Sequence, residues 1–367
     1  MLSLGANWAM CIAIPLSEHE RFALHATGEQ HMRGDQLNEV QRIFAALGAI
    51  AKQHLLAARA KERQGQIGQF FSPALRSILF GDLTKAAQIL HPTEQEAVIL
   101  FFDLRGSSRL AEDMDIVAGE GKAVMHFALL ERILGDAASV IFETGGTVID
   151  FQGDAILACW GIPAQAAPKD PKWQAIVAAR QIAELMAEHD WPSTLAETGS
   201  PLRCGIGVAC GRVLAGLFNA RGRQQIRLSK YTVVGRAVNQ AARLEAMTKR
   251  FGVPILIDDT MACALSGKDL LLRRIAKVRP AGMQDVITIH ELVLPNELGG
   301  TGIDEGGVSS YAAALGMYEK GDLKAAAAIL VTMPGDPIAR FLHEQIVQSL
   351  GNPLPSEWSG VITLWGK

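Results

Sequence analysis

The sequence predicts a mixed α+β fold built on the ferredoxin-like β-α-β-β-α-β unit. Two observations support this class. From residue 96 to residue 295, apolar strand-like runs alternate with amphipathic helical stretches. Within this region Gly145-Gly146 forms a turn signal that opens a hairpin of two strands. The predicted unit is strand 97–102, helix 117–142, strands 147–152 and 155–160, helix 172–189, and strand 203–209.

The N-terminal segment predicts a short hairpin over residues 1–30. Its strands are 8–16 and 22–26, and a polar turn joins them. An isolated hairpin is only marginally stable in water. We therefore expect it either to pack on another part of the protein or to form the end of a larger domain.

Residues 31–93 predict a helical linker. Apolar residues recur every three or four positions over 36–65, and the resulting stripe is narrow. Such a stripe is typical of a coiled-coil dimerisation seam, and a helix packed on the next domain is the alternative. Ser72-Pro73 is a helix-start signal, so a short helix is expected over 74–79.

The alternation of strands and helices continues through the second half of the predicted main domain, 94–295. It predicts strand 212–217, helix 236–250, and strands 254–257, 271–278 and 286–292. A Gly-rich linker is expected at 296–307.

The C-terminal tail, 308–367, predicts three short helices that begin with a helical hairpin. The helices are 308–319, 322–331 and 336–349. One such hairpin cannot bury its own apolar face, so we expect it to support the main domain. We expect the first helix to pack on the second through Tyr311, Ala314, Leu315 and Tyr318 against Ala325, Ala328 and Ile329.

Composition excludes several classes of protein. The chain has 367 residues, 49% of them hydrophobic, and a formal net charge of -3. This charge argues against a nucleic-acid binder with a basic surface. The five scattered cysteines indicate a reducing compartment without a disulfide framework. No apolar run reaches the roughly 18 residues of a membrane span, and no signal peptide is evident, so a cytoplasmic protein is expected.

Two aspartates lie at the polar ends of predicted strands. Asp103 ends the run 97–103, and Asp154 lies in the turn between strands 147–152 and 155–160. A carboxylate at the end of a buried strand is costly unless it is solvated, paired or bound to metal. The sheet order places both at one edge, where their oxygens suit Mg²⁺ or Mn²⁺. The alternative is that both are turn or cap residues.

A third polar segment begins a helix after Gly235. Asn239 and Arg243 are four residues apart and therefore project from one helical face. An amide and a guanidinium on one face suit a phosphate or a hydroxyl. The alternative for Arg243 is a surface ion pair.

The three segments 102–108, 150–155 and 231–245 together resemble the class III adenylate/guanylate cyclases, a match that covers about residues 94–295. Residues 7–71 resemble the end of a GAF-like sensor domain followed by its linker. Most of that sensor domain would then be missing from this chain. The C-terminal helices resemble a tail often attached to bacterial members.

The resemblance implies a two-metal enzyme that works as a head-to-tail homodimer. Asp103 and Asp154, with the Leu104 carbonyl, would bind two Mg²⁺ or Mn²⁺ ions. Asn239 would orient the ribose, and Arg243 would stabilise charge on the α-phosphate. The partner subunit would supply Asn239, Arg243 and Thr232 to a site that contains the aspartates of the first.

Two positions depart from the family pattern. Asp150 falls where members that use ATP often have a base-reading lysine, and an ionised carboxylate cannot donate a hydrogen bond. Asp150 would instead accept from adenine N6 or guanine N2. Thr232 falls at the second base-reading position, where it indicates adenine. Ala281 falls where the triphosphate-binding lysine is expected, so Lys277 or Arg279 is the candidate replacement.

The leading hypothesis is therefore a cyclase that converts a nucleoside triphosphate, ATP first, to the 3′,5′-cyclic nucleotide and pyrophosphate. A guanylate or other-base cyclase is the alternative enzyme. A catalytically weak nucleotide-binding module that signals by dimerisation is the alternative of another class.

Overall fold

The structure, a computed structural model, describes most of the chain in two compact units, residues 1–71 and residues 72–367. The expected helix 74–79, the start of helix 117–142 and Ala281 lie outside the described residues. The described residues are 8–15, 21–29, 31, 33–68, 91–107, 122–164, 167–188, 203–221, 227–280, 284–350, 354–355 and 357–364.

The first unit contains the predicted hairpin and helix. Strands β1 (Trp8–Pro15) and β2 (Arg21–Gly28) pair antiparallel, and helix α1 spans Gly34–Gly68. The presence of a hairpin and of a helix is thus confirmed. Phe44 of α1 is buried, whereas Ile43, Leu47 and Ile50 are about half exposed. Neither α1 nor another helix of the described residues has the length and apolarity to cross a membrane.

The second unit is built on the predicted β-α-β-β-α-β element order. Its strands lie side by side in the order β6-β3-β5-β4, and each neighbouring pair is antiparallel. This is the strand arrangement of the ferredoxin-like split unit, so the fold class is confirmed. The elements are β3 (Thr93–Arg105), α2 (Lys122–Glu143), β4 (Thr147–Gln152), β5 (Ala155–Trp160), α3 (Pro171–Glu188) and β6 (Arg203–Arg221).

The prediction of two strands at 203–209 and 212–217 is wrong, because β6 is one continuous strand. Gly211 opposes Ala97 of β3 within the ladder and makes no turn. The following strand β7 (Arg227–Val234), which the sequence analysis missed, pairs antiparallel with the second half of β6. Its Arg-Leu-Ser-Lys start is polar, so its apolar alternation is short.

The predicted strands 254–257, 271–278 and 286–292 are present and extend the sheet beyond β6. The order there is β11 (Val361–Thr363), β9, β10, β8 and β6, with β8 parallel to β6. The elements of this region are α4 (Arg236–Phe251), β8 (Ile255–Asp258), α5 (Asp259–Ala264), β9 (Leu272–Arg279) and β10 (Ile287–Leu292).

Strand β3 separates two packed layers. Alternate residues Val98, Leu100, Phe102 and Leu104 pack with α2 and α3 in one apolar core. The opposite face of β3, which includes Asp103, lies against α4. Helix α4 packs so closely on β6 that a Cβ added to Gly207 would lie 2.1 Å from the Ala241 carbonyl oxygen. The glycines at this face thus permit a close helix–sheet contact.

The C-terminal tail packs on the far end of the same sheet. The Tyr311 hydroxyl donates to the Ile275 carbonyl of β9 at 2.8 Å, and β11 (Val361–Thr363) pairs parallel with β9. Residues 296–298 form a 3₁₀ turn, and the Thr301 hydroxyl donates to Glu291 at 2.9 Å. The tail helices are α6 (Glu305–Glu319), α7 (Leu323–Leu330) and α8 (Pro337–Ser349), all three as predicted.

One detail of the tail prediction is wrong. The buried face of α7 consists of Leu323, Ala326 and Leu330, not of Ala325, Ala328 and Ile329. The buried face of α6 is the predicted one, with Tyr311, Ala314, Leu315 and Tyr318. Alanine appears at both sets of positions in α7, so the sequence pattern did not distinguish them, whereas the larger Leu323 and Leu330 set the packed face.

Candidate active site

Asp103 and Asp154 lie at neighbouring strand ends, as the sequence analysis predicted. Asp103 is opposite Ala155 in the β3–β5 ladder. The two-residue turn Gly153-Asp154 joins β4 to β5 immediately before Ala155. Gly153 has φ +69°, which is the left-handed conformation that two-residue hairpin turns require. The topology therefore brings the two carboxylates together.

The two carboxylates affect each other electrostatically. Burial and, to a smaller extent, the nearby charge of Asp154 raise the pKa of Asp103 to about 6, although Arg105 partly offsets the shift. Two carboxylates at one site disfavour ionisation of both. The site therefore holds excess negative charge, which a cation would relieve.

Ser107 completes this end of the sheet. Gly106, with φ +86°, turns the chain after β3, and the Ser107 hydroxyl then donates to Asp154 Oδ2. This bond fixes one oxygen of Asp154 and leaves the other available to a ligand. Ser107 belongs to the segment 102–108, but no role was predicted for it from the sequence.

A second, partly buried charged group, which the sequence analysis missed, lies behind Asp103. The Arg105 guanidinium donates to the Val253 carbonyl at 3.1 Å and to the Thr248 hydroxyl of α4. Burial raises the pKa of Glu245 to about 7, and the charges of Asp103 and Asp154 add to the shift. Arg105 and Glu245 thus link strand β3 to helix α4. Their charges are visible in the sequence, but their proximity depends on the packing of α4.

The donors at this site fit a divalent cation. Carboxylate, hydroxyl and main-chain oxygens are the ligands of Mg²⁺ and Mn²⁺, and Leu104 adjoins Asp103 just past the last β3–β5 pair. Among the described residues, no group of three or more His, Cys, Asp or Glu side chains could hold a metal ion. The fit thus rests on Asp103 and Asp154.

Asn239 and Arg243 project from the outer face of α4. The buried face of this helix contains Ala237, Ala241 and Leu244. At 100° per residue, Asn239 falls opposite this face and Arg243 falls on its flank; Asn239 is exposed and Arg243 is partly exposed. The two side chains are therefore neighbours on the helix surface, as predicted, and Asn239 points away from the sheet that holds the same chain's Asp103.

Asp150 and Thr232, the predicted base-contacting residues, lie on β4 and β7, which contact each other. Asp150 is opposite Leu157, which is opposite Phe101. Cross-strand partners share a face, so Asp150 lies on the same sheet face as Asp103. Its carboxylate forms an ion pair with Lys230 of β7 at 2.6 Å, a partner that the sequence analysis missed.

Lys277 and Arg279, the candidate triphosphate contacts, lie on β9. Lys277 Nζ is 3.4 Å from Glu319 Oε1 of the tail helix α6, which partly neutralises its charge. Arg279 is exposed. Both lie opposite β11 of the tail, so the tail borders this part of the sheet.

Comparison with known proteins adds a family match and several relatives. The family described as the adenylate and guanylate cyclase catalytic domain matches residues 89–288, more than half of the chain. An uncharacterized protein of Mycobacterium tuberculosis is 29% identical over 252 residues, which are 66% of this chain and 41% of that protein. An adenylate cyclase of Anabaena cylindrica is 30% identical over 197 residues, which are 53% of this chain and 36% of that protein.

The chain thus spans about two fifths of the length of these relatives. Among solved structures, the adenylyl cyclase CyaB from P. aeruginosa is similar, with a TM-score of 0.45 and 22% identity. That similarity covers 56% of this chain and 97% of the CyaB chain.

Proposed function

This chain belongs to the adenylate and guanylate cyclase catalytic domain family, and on that premise we propose that it converts a nucleoside triphosphate, ATP first, to the 3′,5′-cyclic nucleotide and pyrophosphate. The observation that carries the proposal is the placement of Asp103 beside Asp154 at one strand edge, where burial and like charge raise the pKa of Asp103. Such a pair favours a bound cation over two free carboxylates.

In this proposal Asp103, Asp154 and the Leu104 carbonyl hold two Mg²⁺ or Mn²⁺ ions. When bound, the ions would supply positive charge that favours ionisation of the ribose 3′-hydroxyl and neutralises the leaving pyrophosphate. The Ser107 hydroxyl, which donates to Asp154, holds that carboxylate in place.

The reaction itself is an in-line displacement at the α-phosphorus. The ribose 3′-oxygen gives its proton to solvent water and bonds to the α-phosphorus, while the bond from the α-phosphorus to the oxygen bridging to the β-phosphate breaks and pyrophosphate leaves with that electron pair. Asn239 orients the ribose, and Arg243 donates to the α-phosphate oxygens. Removing one such preorganised donor costs roughly 2.7–4 kcal/mol of transition-state stabilisation.

We propose that the site forms between two copies of this chain arranged head to tail. Because Asn239 faces away from the sheet that holds its own chain's Asp103, and Arg243 lies beside it on the helix surface, the two are placed to act on the partner's substrate. The exposed Ile43, Leu47 and Ile50 of α1 have the alternating four- and three-residue spacing of a two-stranded seam.

The remaining substrate contacts follow from charge and exposure. Lys277 is already paired with Glu319, which favours the exposed Arg279 as the contact for the triphosphate. Asp150 and Thr232 contact the base, and a threonine hydroxyl both donates and accepts. A guanine base is the alternative that the substrate test distinguishes.

The test is incubation of the full chain with Mn²⁺ and each of the four common nucleoside triphosphates, with both pyrophosphate and cyclic nucleotide quantified. We expect ATP to give cyclic AMP at the highest rate. A higher rate with GTP would show that GTP, not ATP, is the preferred substrate. Absence of product from all four nucleotides would overturn the enzyme proposal.

Mixing variants tests the shared site. Asp103→Ala and Asn239→Ala should each be inactive, and a mixture should regain activity because a mixed dimer contains one intact site. The matched control is a mixture of Asp103→Ala with Asp154→Ala, which should stay inactive because both lesions affect the same half-site. Equal activity of the two mixtures would contradict the head-to-tail arrangement.

A further inference from the structure

Asp150 and Lys230 form a charge pair between two strands that are not hydrogen-bonded neighbours. Lys230 Nζ lies 2.6 Å from Asp150 Oδ2. The Lys230 side chain is 52% exposed and that of Asp150 is 30% exposed. The Lys230 ammonium and the Asp150 carboxylate therefore contact each other and are both accessible to solvent, so a ligand can contact either of them.

Lys230 shares a face of β7 with Thr232. Along this strand Tyr231 and Val233 are buried, whereas Lys230 is exposed and Thr232 is partly exposed. Side chains two residues apart on a strand lie about 6.6 Å apart on the same face. A lysine side chain spans such a distance, so Lys230, Thr232 and Asp150 can contact one planar group.

The three side chains complement one another in hydrogen bonding. An ionised aspartate only accepts, and a lysine ammonium has three donors and no acceptor. One of those donors is used by Asp150, which leaves two. The hydrogen-bonding edge of adenine presents the N6 amino donor next to the N1 acceptor, so an adjacent acceptor and donor match it.

We propose that Lys230 is a specificity-determining residue: held by Asp150, its ammonium donates to N1 of an adenine base while the Asp150 carboxylate accepts from N6. This rests on the proposed cyclase function. In this arrangement Lys230 supplies the donor that a carboxylate at position 150 cannot supply. Lys230 contacts the base and takes no part in the displacement at phosphorus.

If the Lys230–Asp150 pair were only a surface ion pair with no role in ligand binding, loss of Lys230 would leave nucleotide binding unchanged. The chain offers a matched control in Arg212 and Glu94, an exposed pair between two strands of the same sheet with Nη2–Oε2 at 2.7 Å. Exposed pairs of this kind contribute about 0–1 kcal/mol to stability. Loss of either cation should therefore leave the fold intact.

The experiment compares Lys230→Met with Arg212→Met in the full chain. KM and kcat are measured for ATP and for GTP, and calorimetry measures binding of 3′-deoxyATP and 3′-deoxyGTP, which lack the attacking hydroxyl. For Lys230→Met we expect KM for ATP and Kd for 3′-deoxyATP to rise about tenfold, because a hydrogen bond to a charged donor is lost. We expect kcat for ATP to change little and the ATP-to-GTP preference to fall.

Two further results bear on the proposal. Lys230→Arg should stay within about threefold of wild type for 3′-deoxyATP, since it retains a cationic donor, and Arg212→Met should match wild type throughout. If Lys230→Met matches Arg212→Met while wild type makes cyclic AMP, this inference is overturned and the proposed function stands. If wild type neither turns over nor binds either nucleotide, both are overturned.

Discussion

Two groups of charged side chains lie on or against one sheet, and they differ in how their charges are balanced. Near the site, Asp103 and Glu245 lie close to the Arg105 guanidinium and Asp154 lies near Asp103, and the pKa values of Asp103 and Glu245 rise to about 6 and about 7. At the far end, Arg273 bonds to Glu291 and to Asp336 and is almost fully buried.

The far group is a structural device. Burial alone would lower the pKa of Arg273, but Glu291 and Asp336 outweigh this effect and raise it. Asp336 also caps helix α8 through the Ile338 amide, so the group attaches the tail to the sheet. The comparison shows that the buried charges around Arg273 are paired across the junction of tail and sheet, whereas the group near Asp103 has an excess of negative charge, which under the proposed function serves ligand binding.

The largest expected effect comes from Asp103→Asn, which keeps the shape of the side chain and removes its charge. Turnover should fall on the order of 10³-fold or more, since the cation ligand is lost. Thermal stability without metal should stay equal or rise, because repulsion by Asp154 is relieved. A cyclase assay measures the change in turnover, and a thermal melt of the metal-free protein measures the change in Tm. A large fall in Tm would show that the Asp103 charge stabilises the fold, which contradicts the interpretation that it is retained for function.

Arg273→Met should have the largest effect on stability. It leaves Glu291 and Asp336 buried without their cation, which costs about 3–5 kcal/mol. Urea unfolding measures the change. The control is Arg274→Met, whose side chain is 38% exposed and pairs with Glu319, and which should cost under about 1 kcal/mol. Equal costs for the two variants would contradict the structural assignment of the far group.

The group near Asp103 should also make the stability of the fold depend on pH. The pKa of Asp103 is raised from 3.8 to about 6, and that of Glu245 from 4.5 to about 7. The folded state therefore binds these protons more tightly than the unfolded state, and stability falls as the pH rises from about 4 to about 7. Urea unfolding of metal-free protein across this range should show the fall.

Asp103→Asn and Glu245→Gln should each flatten that pH profile. The reason is that each removes one titrating carboxyl from the folded state. A profile that rises over this range in wild type, or that keeps its slope in both variants, would contradict the assigned shifts.

The smallest expected effect is that of Tyr311→Phe. This change deletes the hydroxyl that donates to the Ile275 carbonyl and should cost about 1 kcal/mol. Ser310→Ala on the exposed side of the same helix should change stability by less than about 0.5 kcal/mol. A cost of Tyr311→Phe no larger than that of Ser310→Ala would show that the tail is not fixed to β9 by this bond.

Much of the architecture was predictable because local patterns carry it. Most strands and helices of the second unit begin and end near their predicted positions, and the family resemblance is confirmed by the match over residues 89–288. The errors occur where local pattern and tertiary contact differ. The predicted break before residue 212 contains Gly211, yet this glycine lies within the continuous strand β6, opposite Ala97. Gly205 and Gly207, inside the same strand, are small because Glu245 and Ala241 of α4 lie against them.

The sequence by itself determined the split β-α-β unit, the two strand-end aspartates and the adjacent positions of Asn239 and Arg243 on one helix. Period-2 and period-3.6 patterns and turn glycines encode these features over short distances. The tertiary structure decided the partners: Lys230 for Asp150, Glu319 for Lys277, and Arg105 with Glu245 behind Asp103. These residues are about 40–140 positions apart, and their meeting depends on strand order and helix packing, which no local pattern specifies.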